Sequence, residues 1–551
     1  MSKETIKNTP LENNSESTPE TAASRKWRPV ILLDIVKVLM SLALLGGVFF
    51  QTASRKFLLG GLIELLLIVI LSNIFTKKRI GQIAEFLLFL IFNLQFLFQY
   101  YAGSYVTTVM VSNISSAEDL GGNAVPYLTG IIFSIIGALI PWIRICLPAS
   151  MERGTLTAGL IAELLFTWIF SAGLTPGSAF VELLRDEADL ALDRKAVQNT
   201  GDTRPLFYKT EIPDCIEKPL CLPEQPNIVL ILTEGLSQTI IDDPRDVMVN
   251  VRELEGSSLF FANYYNHTFA TFRGIIGQLF SGYQMNNLDP NNLVSLQGVL
   301  SGEGYHTVFI NTEPHNEEFT TYLENLGFDE VINPEGDFNG EANSLSDREA
   351  YEYLYNTIES LSDSDEPFLT VIYTFGTHTS LNSPDAFYGD GDNAILNKFY
   401  NLDVQFGNFW EKFREDNRLA DNTLLVFTTD HSTYVETDYD TTFPDPARGL
   451  PATDRIPLAI YYAGLDPSVI NVYGRNSLDL TPTILDLLDI SAENYFLGTS
   501  LFNTSYNYYD TLYDTETFHV STAMGAPVRL NYEDLVLFKQ HLTEYYSAKE
   551  Q

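Results

Sequence analysis

The feature that most narrows the choice of folds is a series of five apolar runs in the first third of a 551-residue chain. They lie near residues 29–52, 57–76, 81–102, 125–146 and 155–174. Each is about 20 residues, the length at which a helix crosses a hydrocarbon core of about 30 Å. Five in succession read as a five-helix transmembrane domain over 27–175 rather than as core helices of a soluble protein. The preceding residues 1–26 are rich in Ser, Thr, Asn and Glu and read as a disordered tail. They lack a short apolar core followed by a small-residue cleavage site, so no cleaved signal peptide is expected.

Basic residues orient the spans. Arg25, Lys26 and Arg28 precede the first run, Lys77, Lys78 and Arg79 separate the second from the third, and Arg144 and Arg153 separate the fourth from the fifth. The loop at 103–124 has no Lys or Arg and carries Glu118 and Asp119; Arg55 and Lys56 alone break the pattern. The excess of Lys and Arg on one side predicts a cytoplasmic N-terminus and, after five crossings, an extracytoplasmic C-terminal domain. Asp34 and Lys37 fall inside the first span at i,i+3, where ionisable groups are costly and are paired or functional. Residues 176–225 open with "FVELLRDEADLALDR", which suits an amphipathic juxtamembrane helix, and continue as a Pro-rich linker.

The net charge is −38. Nucleic acid is therefore excluded as a partner, because a polyanion needs a basic face. Phosphate chemistry in such a chain has to rest on a metal or a few placed cations. Of the three cysteines, Cys146 reads as an inert buried thiol. Cys215 and Cys221 could close a small loop in an oxidising compartment, and either state fits the spacing.

Beyond Pro226 short apolar strands alternate with helical stretches, which predicts βαβ units and a largely parallel sheet. The strands end on chemistry. "NIVLILTE" stops on Glu234, "HTVFINTE" on Glu313, "FLTVIYTFGTH" on His378 and "NTLLVFTTDH" on Asp430-His431. Ligands of open α/β sheets bind beyond the carboxyl ends of strands. Glu234, Asp430 and His431 offer two hard oxygens and a borderline nitrogen, a set suited to Mn²⁺, Mg²⁺ or Zn²⁺. The segment "NHTFATFRG", residues 266–274, adds Thr268 and Thr271 at the mouth of a short apolar helix, where free N–H groups favour an anion. A Thr hydroxyl bound to metal there is a nucleophile for phosphorus or sulfur.

In their order along the chain, "NIVLILTEGLS", "TFRGIIGQLFSGY", "LTVIYTFGTHTS", "FYNLDVQFGNFWEKF", "NTLLVFTTDHS" and "RIPLAIYYAGL" resemble the sulfatase-like enzymes of the alkaline phosphatase superfamily, over roughly 225–505. Five spans before such a domain resemble its membrane-anchored phosphotransferases: lipoteichoic acid synthases, other phosphoglycerol transferases and phosphoethanolamine transferases. The resemblance implies an α/β sulfatase-like domain over 226–545. It implies one divalent ion, Mn²⁺ favoured with Zn²⁺ or Mg²⁺ possible, held by Glu234, Thr271, Asp430 and His431. Thr271 falls on the family's nucleophile and His378 on a histidine that holds substrate phosphate, with Arg273 and His267 as weaker phosphate contacts. Asn311, Glu313 and His315 follow the strand of another substrate-side loop and do not align.

Departures from the family pattern narrow the activity. Sulfatases need Cys or Ser in C/S-x-P-x-R, and "TFRG" has neither, which disfavours sulfate-ester hydrolysis. Phosphoethanolamine transferases of Gram-negative bacteria carry several disulfides, whereas this chain has at most one. The expectation is thus a phosphotransferase that moves phosphoglycerol from phosphatidylglycerol in the membrane to a cell-surface glycan or polymer through a covalent threonine intermediate. The alternatives are a phosphoethanolamine transferase acting on lipid A or a glycan, and a sulfatase-like hydrolase.

Overall fold

The computed structural model describes residues 20–75, 79–112, 124–142, 175–378, 385–434, 437–445, 448–504, 511–514, 517–522 and 525–550, with isolated positions between 154 and 165. The described residues fall into two compact units, one within 1–106 and 127–182, the other within 107–126 and 183–551.

In the first unit the apolar runs are helical: α1 (Glu20–Thr52), α2 (Arg55–Phe75), α3 (Arg79–Tyr101) and α4 (Ala124–Leu139). Among the described residues, Leu32–Thr52 and Arg79–Tyr101 are long and apolar enough to cross a membrane, against the five spans expected from sequence. Val125–Leu139 is a shorter apolar helix, and the run at 155–174 and Cys146 lie outside the described residues. Lys37 forms an ion pair with Glu85 of α3. Its ammonium also donates to the carbonyls of Ala138 (2.8 Å) and Ile140 (2.9 Å) at the end of α4, where helix carbonyls lack intrahelical partners. One buried cation thereby ties three helices together. The stretch expected to form a juxtamembrane helix is α5 (Pro176–Asn199).

The second unit is built on an eight-stranded sheet in the order β4-β3-β5-β1-β6-β7-β2-β8. The strands are β1 (Asn227–Thr233), β2 (Leu259–Ala262), β3 (His306–Ile310), β4 (Glu330–Ile332), β5 (Phe368–Thr374), β6 (Thr423–Thr429), β7 (Ala459–Tyr461) and β8 (Ser468–Asn471). Only β7 runs against its neighbours. The three central strands, "NIVLILT", "FLTVIYT" and "TLLVFTT", are buried along their whole length, which is why they read as continuous apolar runs without alternation.

Side chains alternate between two core layers. Ile228, Leu230 and Leu232 join Leu369, Val371, Tyr373, Leu424 and Val426 on one face. Val229, Ile231, Phe368, Ile372, Leu425 and Phe427 occupy the other. Helices α6 (Thr271–Phe280) and α9 (Leu480–Leu487) cover the first face, and α7 (Asp347–Leu361) and α8 (Ala394–Glu415) the second. Burying each such side chain contributes about 1.5–3 kcal/mol. A one-residue slip would exchange the faces, so this packing fixes the parity of every residue at the strand ends. The unit closes with a three-stranded antiparallel sheet within 511–529 and α10 (Tyr532–Glu550).

Candidate active site

Parity places the site. Glu234 follows Leu232 at the end of β1, and Asp430 follows Val426 and Thr428 at the end of β6, so both point to the face covered by α6. Glu234 N–H donates to the carbonyl of Thr374 (3.0 Å) and Asp430 N–H to that of Thr233 (3.1 Å), so the sheet pairing continues into the ligand residues. Gly235, at φ +47°, turns the chain immediately after Glu234, with His431 3.5 Å from where a Cβ would stand. Glycine reaches that backbone region without strain.

Helix α6 brings Thr271 to the same point. Its first residue is Thr271, and the preceding Ala270 holds φ 84°, ψ 138°, a conformation that L residues rarely adopt. Gly274 lets the helix touch the sheet: a Cβ there would lie 2.4 Å from the Asp430 carbonyl oxygen. Gln278 fastens the contact by donating to Thr429 O (2.9 Å) and Gly274 O (3.2 Å). Thr271 Oγ1 consequently donates to Glu234 Oε2 at 3.0 Å.

Glu234, Asp430 and His431 are fully buried, and their ligand atoms lie within 4.8 Å of one another. Each uses one polar atom for support and leaves the other open. Asp430 Oδ1 accepts from the N–H groups of Gly235 (2.9 Å) and His431 (2.6 Å). His431 Nδ1 donates to Ser432 O (2.7 Å), which directs Nε2 to the two carboxylates and makes Nε2 the nitrogen available to a cation when the ring is neutral. Glu234 Oε2 takes the hydroxyls of Thr271 and Tyr373. Glu234 Oε1, Asp430 Oδ2 and His431 Nε2 have no hydrogen-bond partner among the described residues. His431 Nε2 stands 3.3 Å from Glu234 Oε1 and 3.4 Å from Asp430 Oδ2. Ligands about 2.1 Å from a tetrahedral ion sit about 3.4 Å apart, so this donor set fits a divalent cation.

The electrostatics agree. Burial works to raise Glu234, but the charge of His431 3.3 Å away, then His378 and Tyr373, hold its carboxyl below the ordinary range. Burial and the Glu234 charge push Asp430 up. Burial works to lower His431, yet Asp430 and Glu234 keep it above its ordinary value. Two buried carboxylates with one imidazole form a pocket that a cation neutralises.

His378 follows β5. Its ring stacks on Phe375 (4.8 Å between centroids), its carbonyl accepts from Lys398 Nζ (2.9 Å), and its Nδ1 has no partner among the described residues. Burial pushes its pKa down. Tyr434 lies edge-on to both His378 (5.7 Å) and His431 (5.4 Å), which brings the two histidines to one aromatic side chain.

His267 and the residues after β3 are engaged in packing and turns. His267 is fully buried with Nδ1 2.7 Å from Ser477 Oγ, and its Nε2 lies 2.1 Å from where a Cβ on Gly277 would stand. Burial drives its pKa to about 3, so the ring is neutral and sits in the packing of α6. Arg273 is buried in the first turn of α6. Asn311 Oδ1 accepts Glu313 N–H (2.9 Å), Asn316 Nδ2 donates to Glu313 (3.2 Å) and His315 Nε2 lies 2.8 Å from Gly336 O, so all three build the turn after β3. Cys215 and Cys221 are free thiols. Sequence reasoning missed Tyr373; its signal is its odd position in β5, five residues before His378, on the face that receives α6.

An eight-stranded α/β domain with a carboxylate–histidine cluster and a helix-borne threonine beyond the strand ends defines a class of metal-dependent enzymes acting on phosphate or sulfate esters. Within that class, residues 226–490 match the sulfatase family model, and this part of the chain is a sulfatase-family domain of the alkaline phosphatase superfamily. Solved structures of similar fold include an alkaline phosphatase superfamily protein from Vibrio parahaemolyticus (18% identity, 66% of this chain and 95% of that one, TM-score 0.51). They also include the integral membrane lipooligosaccharide phosphoethanolamine transferase A of Neisseria meningitidis (13% identity, 83% and 95%, TM-score 0.54). The lipoteichoic acid synthase LtaP of Listeria monocytogenes matches at 16% identity over 61% and 93%, with a TM-score of 0.49. No protein of curated function matches the chain by sequence.

Proposed function

We propose that the chain is a membrane-anchored phosphotransferase. In this reading Thr271 takes a phosphoglycerol group from phosphatidylglycerol and passes it to a hydroxyl of a cell-surface glycan or polymer. The observation that carries the reading is Thr271 Oγ1, 3.0 Å from Glu234, beside the convergent atoms Glu234 Oε1, Asp430 Oδ2 and His431 Nε2. Glu234, Asp430, His431 and Thr271 would hold one divalent ion, Mn²⁺ favoured. When bound, such an ion lowers the pKa of the threonine hydroxyl and offsets charge on phosphoryl oxygens.

The chain's own residues supply the rest. Thr271 Oγ gives up its proton and forms a bond to phosphorus while the bond from phosphorus to diacylglycerol oxygen breaks, and the departing diacylglycerol oxygen takes up a proton in exchange. An acceptor hydroxyl then bonds to phosphorus, the Thr271 Oγ–phosphorus bond breaks, and Thr271 recovers its proton. Covalent catalysis divides one difficult displacement into two. The first-turn N–H groups of α6 and the Arg273 cation would offset the added negative charge, and neutral His378 would donate or accept a hydrogen bond at the oxygen that leaves or arrives. Five spans with a cytoplasmic N-terminus would hold this domain at the outer face of the membrane, within reach of a lipid headgroup.

Thr271→Ala should abolish diacylglycerol release from labelled phosphatidylglycerol with Mn²⁺ present, a loss of at least about 10³-fold for a missing nucleophile. Undiminished release by this variant would overturn the assignment. The second reading, transfer of phosphoethanolamine, draws support from the fold shared over 83% of the chain with the Neisseria transferase. Mass spectrometry of the group trapped on Thr271 separates the two donors.

A further inference from the structure

Each candidate ligand has one atom tied down and one atom free, but the ties differ in kind. Asp430 Oδ1 is held by the backbone N–H groups of Gly235 and His431, and His431 Nδ1 by the backbone carbonyl of the next residue. These ties persist for as long as the chain stays folded. Glu234 Oε2 is held only by side chains among the described residues, the hydroxyls of Thr271 and Tyr373. One of these is the proposed nucleophile, which has no proton to donate once its oxygen is bonded to phosphorus.

We propose that Tyr373 is a positioning residue for the metal site. It keeps Glu234 turned so that Oε1 alone faces the ion, and it keeps it so while Thr271 carries the transferred group. This rests on the metal-dependent reading above. Tyr373 is suited to the task because it cannot move. It is fully buried in the interior of β5, paired with Leu232 of β1, with its ring 5.5 Å from Phe319. Its odd position in β5 and the even position of Glu234 after β1 put hydroxyl and carboxylate on the same face of neighbouring strands. Without that donor, Oε2 is free to turn toward the ion, and the carboxylate can chelate through both oxygens or rotate away. Removing such outer-shell partners typically weakens metal binding about 10–100-fold.

The test uses the full chain in detergent micelles, stripped of metal and titrated with Mn²⁺ by calorimetry and by the electron paramagnetic resonance of bound Mn²⁺. Tyr373→Phe keeps the ring and removes the donor, and its Mn²⁺ Kd should rise about 10–100-fold, with an altered bound-Mn²⁺ spectrum. In a Thr271→Ala background, where Tyr373 is the remaining donor to Oε2 among the described residues, the Phe substitution should weaken binding by a larger factor than in the parent. A merely structural residue would give equal factors. A Tyr373→Phe Kd within twofold of the parent, with the same spectrum, overturns the inference. Tyr373→Leu makes the same comparison if the Phe variant does not fold. Glu234→Gln separates the two levels of argument. If it binds Mn²⁺ as the parent does, the metal-site reading itself fails. If it loses Mn²⁺ while Tyr373→Phe does not, only the role of Tyr373 fails.

Discussion

Gly274→Ala tests whether the close approach of α6 to the sheet is what makes the site. A Cβ at this position would stand 2.4 Å from the Asp430 carbonyl oxygen and 2.9 Å from its carbon. Ordinary contact begins at 3.4 Å, so about 1 Å must open between the helix and the end of β6. Neither partner yields easily. The Asp430 backbone is pinned by its own N–H to Thr233 O, and α6 is fastened to β6 through Gln278. The stability cost of such overpacking is about 1–3 kcal/mol, offset by about 1 kcal/mol from the better helix propensity of Ala. Stability should therefore fall by no more than about 2 kcal/mol. Activity should fall much further, because a 1 Å misplacement of a reacting group costs about 10²-fold. Thr271 sits one turn from Gly274 and moves with it. The assay pairs a thermal melt with initial rates of diacylglycerol release. A Gly274→Ala protein that melts near the parent and keeps more than a third of its rate would refute the argument that this helix-to-sheet distance sets the nucleophile's position.

Two further substitutions probe the scaffold. Ala270→Gly should stabilise the metal-free protein by about 1 kcal/mol, since the φ of +84° costs an L residue about 1–3 kcal/mol and glycine's extra unfolded-state freedom returns only part of that; a lowered melting temperature would show that the backbone there is relaxed. Burial pushes Glu255, which accepts from Gln238 at 3.0 Å, up to about 8, so the folded chain holds a proton that the unfolded chain releases near 4.5. Its contribution to stability is therefore present at low pH and lost as pH rises from about 4.5 through 8. Glu255→Gln should leave the melting temperature nearly unchanged at pH 5 and raise it above the parent at pH 8.5, and equal melting curves at both values would contradict the assignment.

Much of the fold was legible because the physical signal is local. Three fully buried strands can only be unbroken β-branched and apolar runs, and their ends are marked by Glu234, His378 and Asp430-His431. The clustering of Glu234, Asp430 and His431 was expected from the chemistry of those ends together with the resemblance, and the three residues do converge. What escaped is what depends on pairing between distant segments. Lys37 has a neighbour of opposite charge at i−3, but its ion pair with Glu85, 48 residues away on α3, depends on helix packing that the sequence does not display. His267 sits four residues before Thr271 and looks like part of the same polar loop. The turn at Ala270 instead sends it against Ser477 and Gly277. Tyr373 was hidden inside an apolar strand, where a tyrosine reads as β-propensity until the register with β1 is known.

On the proposed reading, the same register would let a threonine serve as the nucleophile. A free threonine hydroxyl is a poor nucleophile, so the surroundings must do the activating. Here strand parity points Glu234 and Asp430 to one face, and the glycine at 274 admits the helix that carries Thr271 to that face. Local backbone then ties off one atom of Asp430 and of His431. The result is a set of open ligand atoms fixed before any ion or substrate arrives, with no rearrangement needed at the moment of reaction. In a chain of net charge −38, a phosphodiester is repelled by the protein as a whole, and salt screens that repulsion beyond about 8 Å. On the proposed reading, recognition would then be local, through a cation held by this trio and through Arg273 in the first turn of α6.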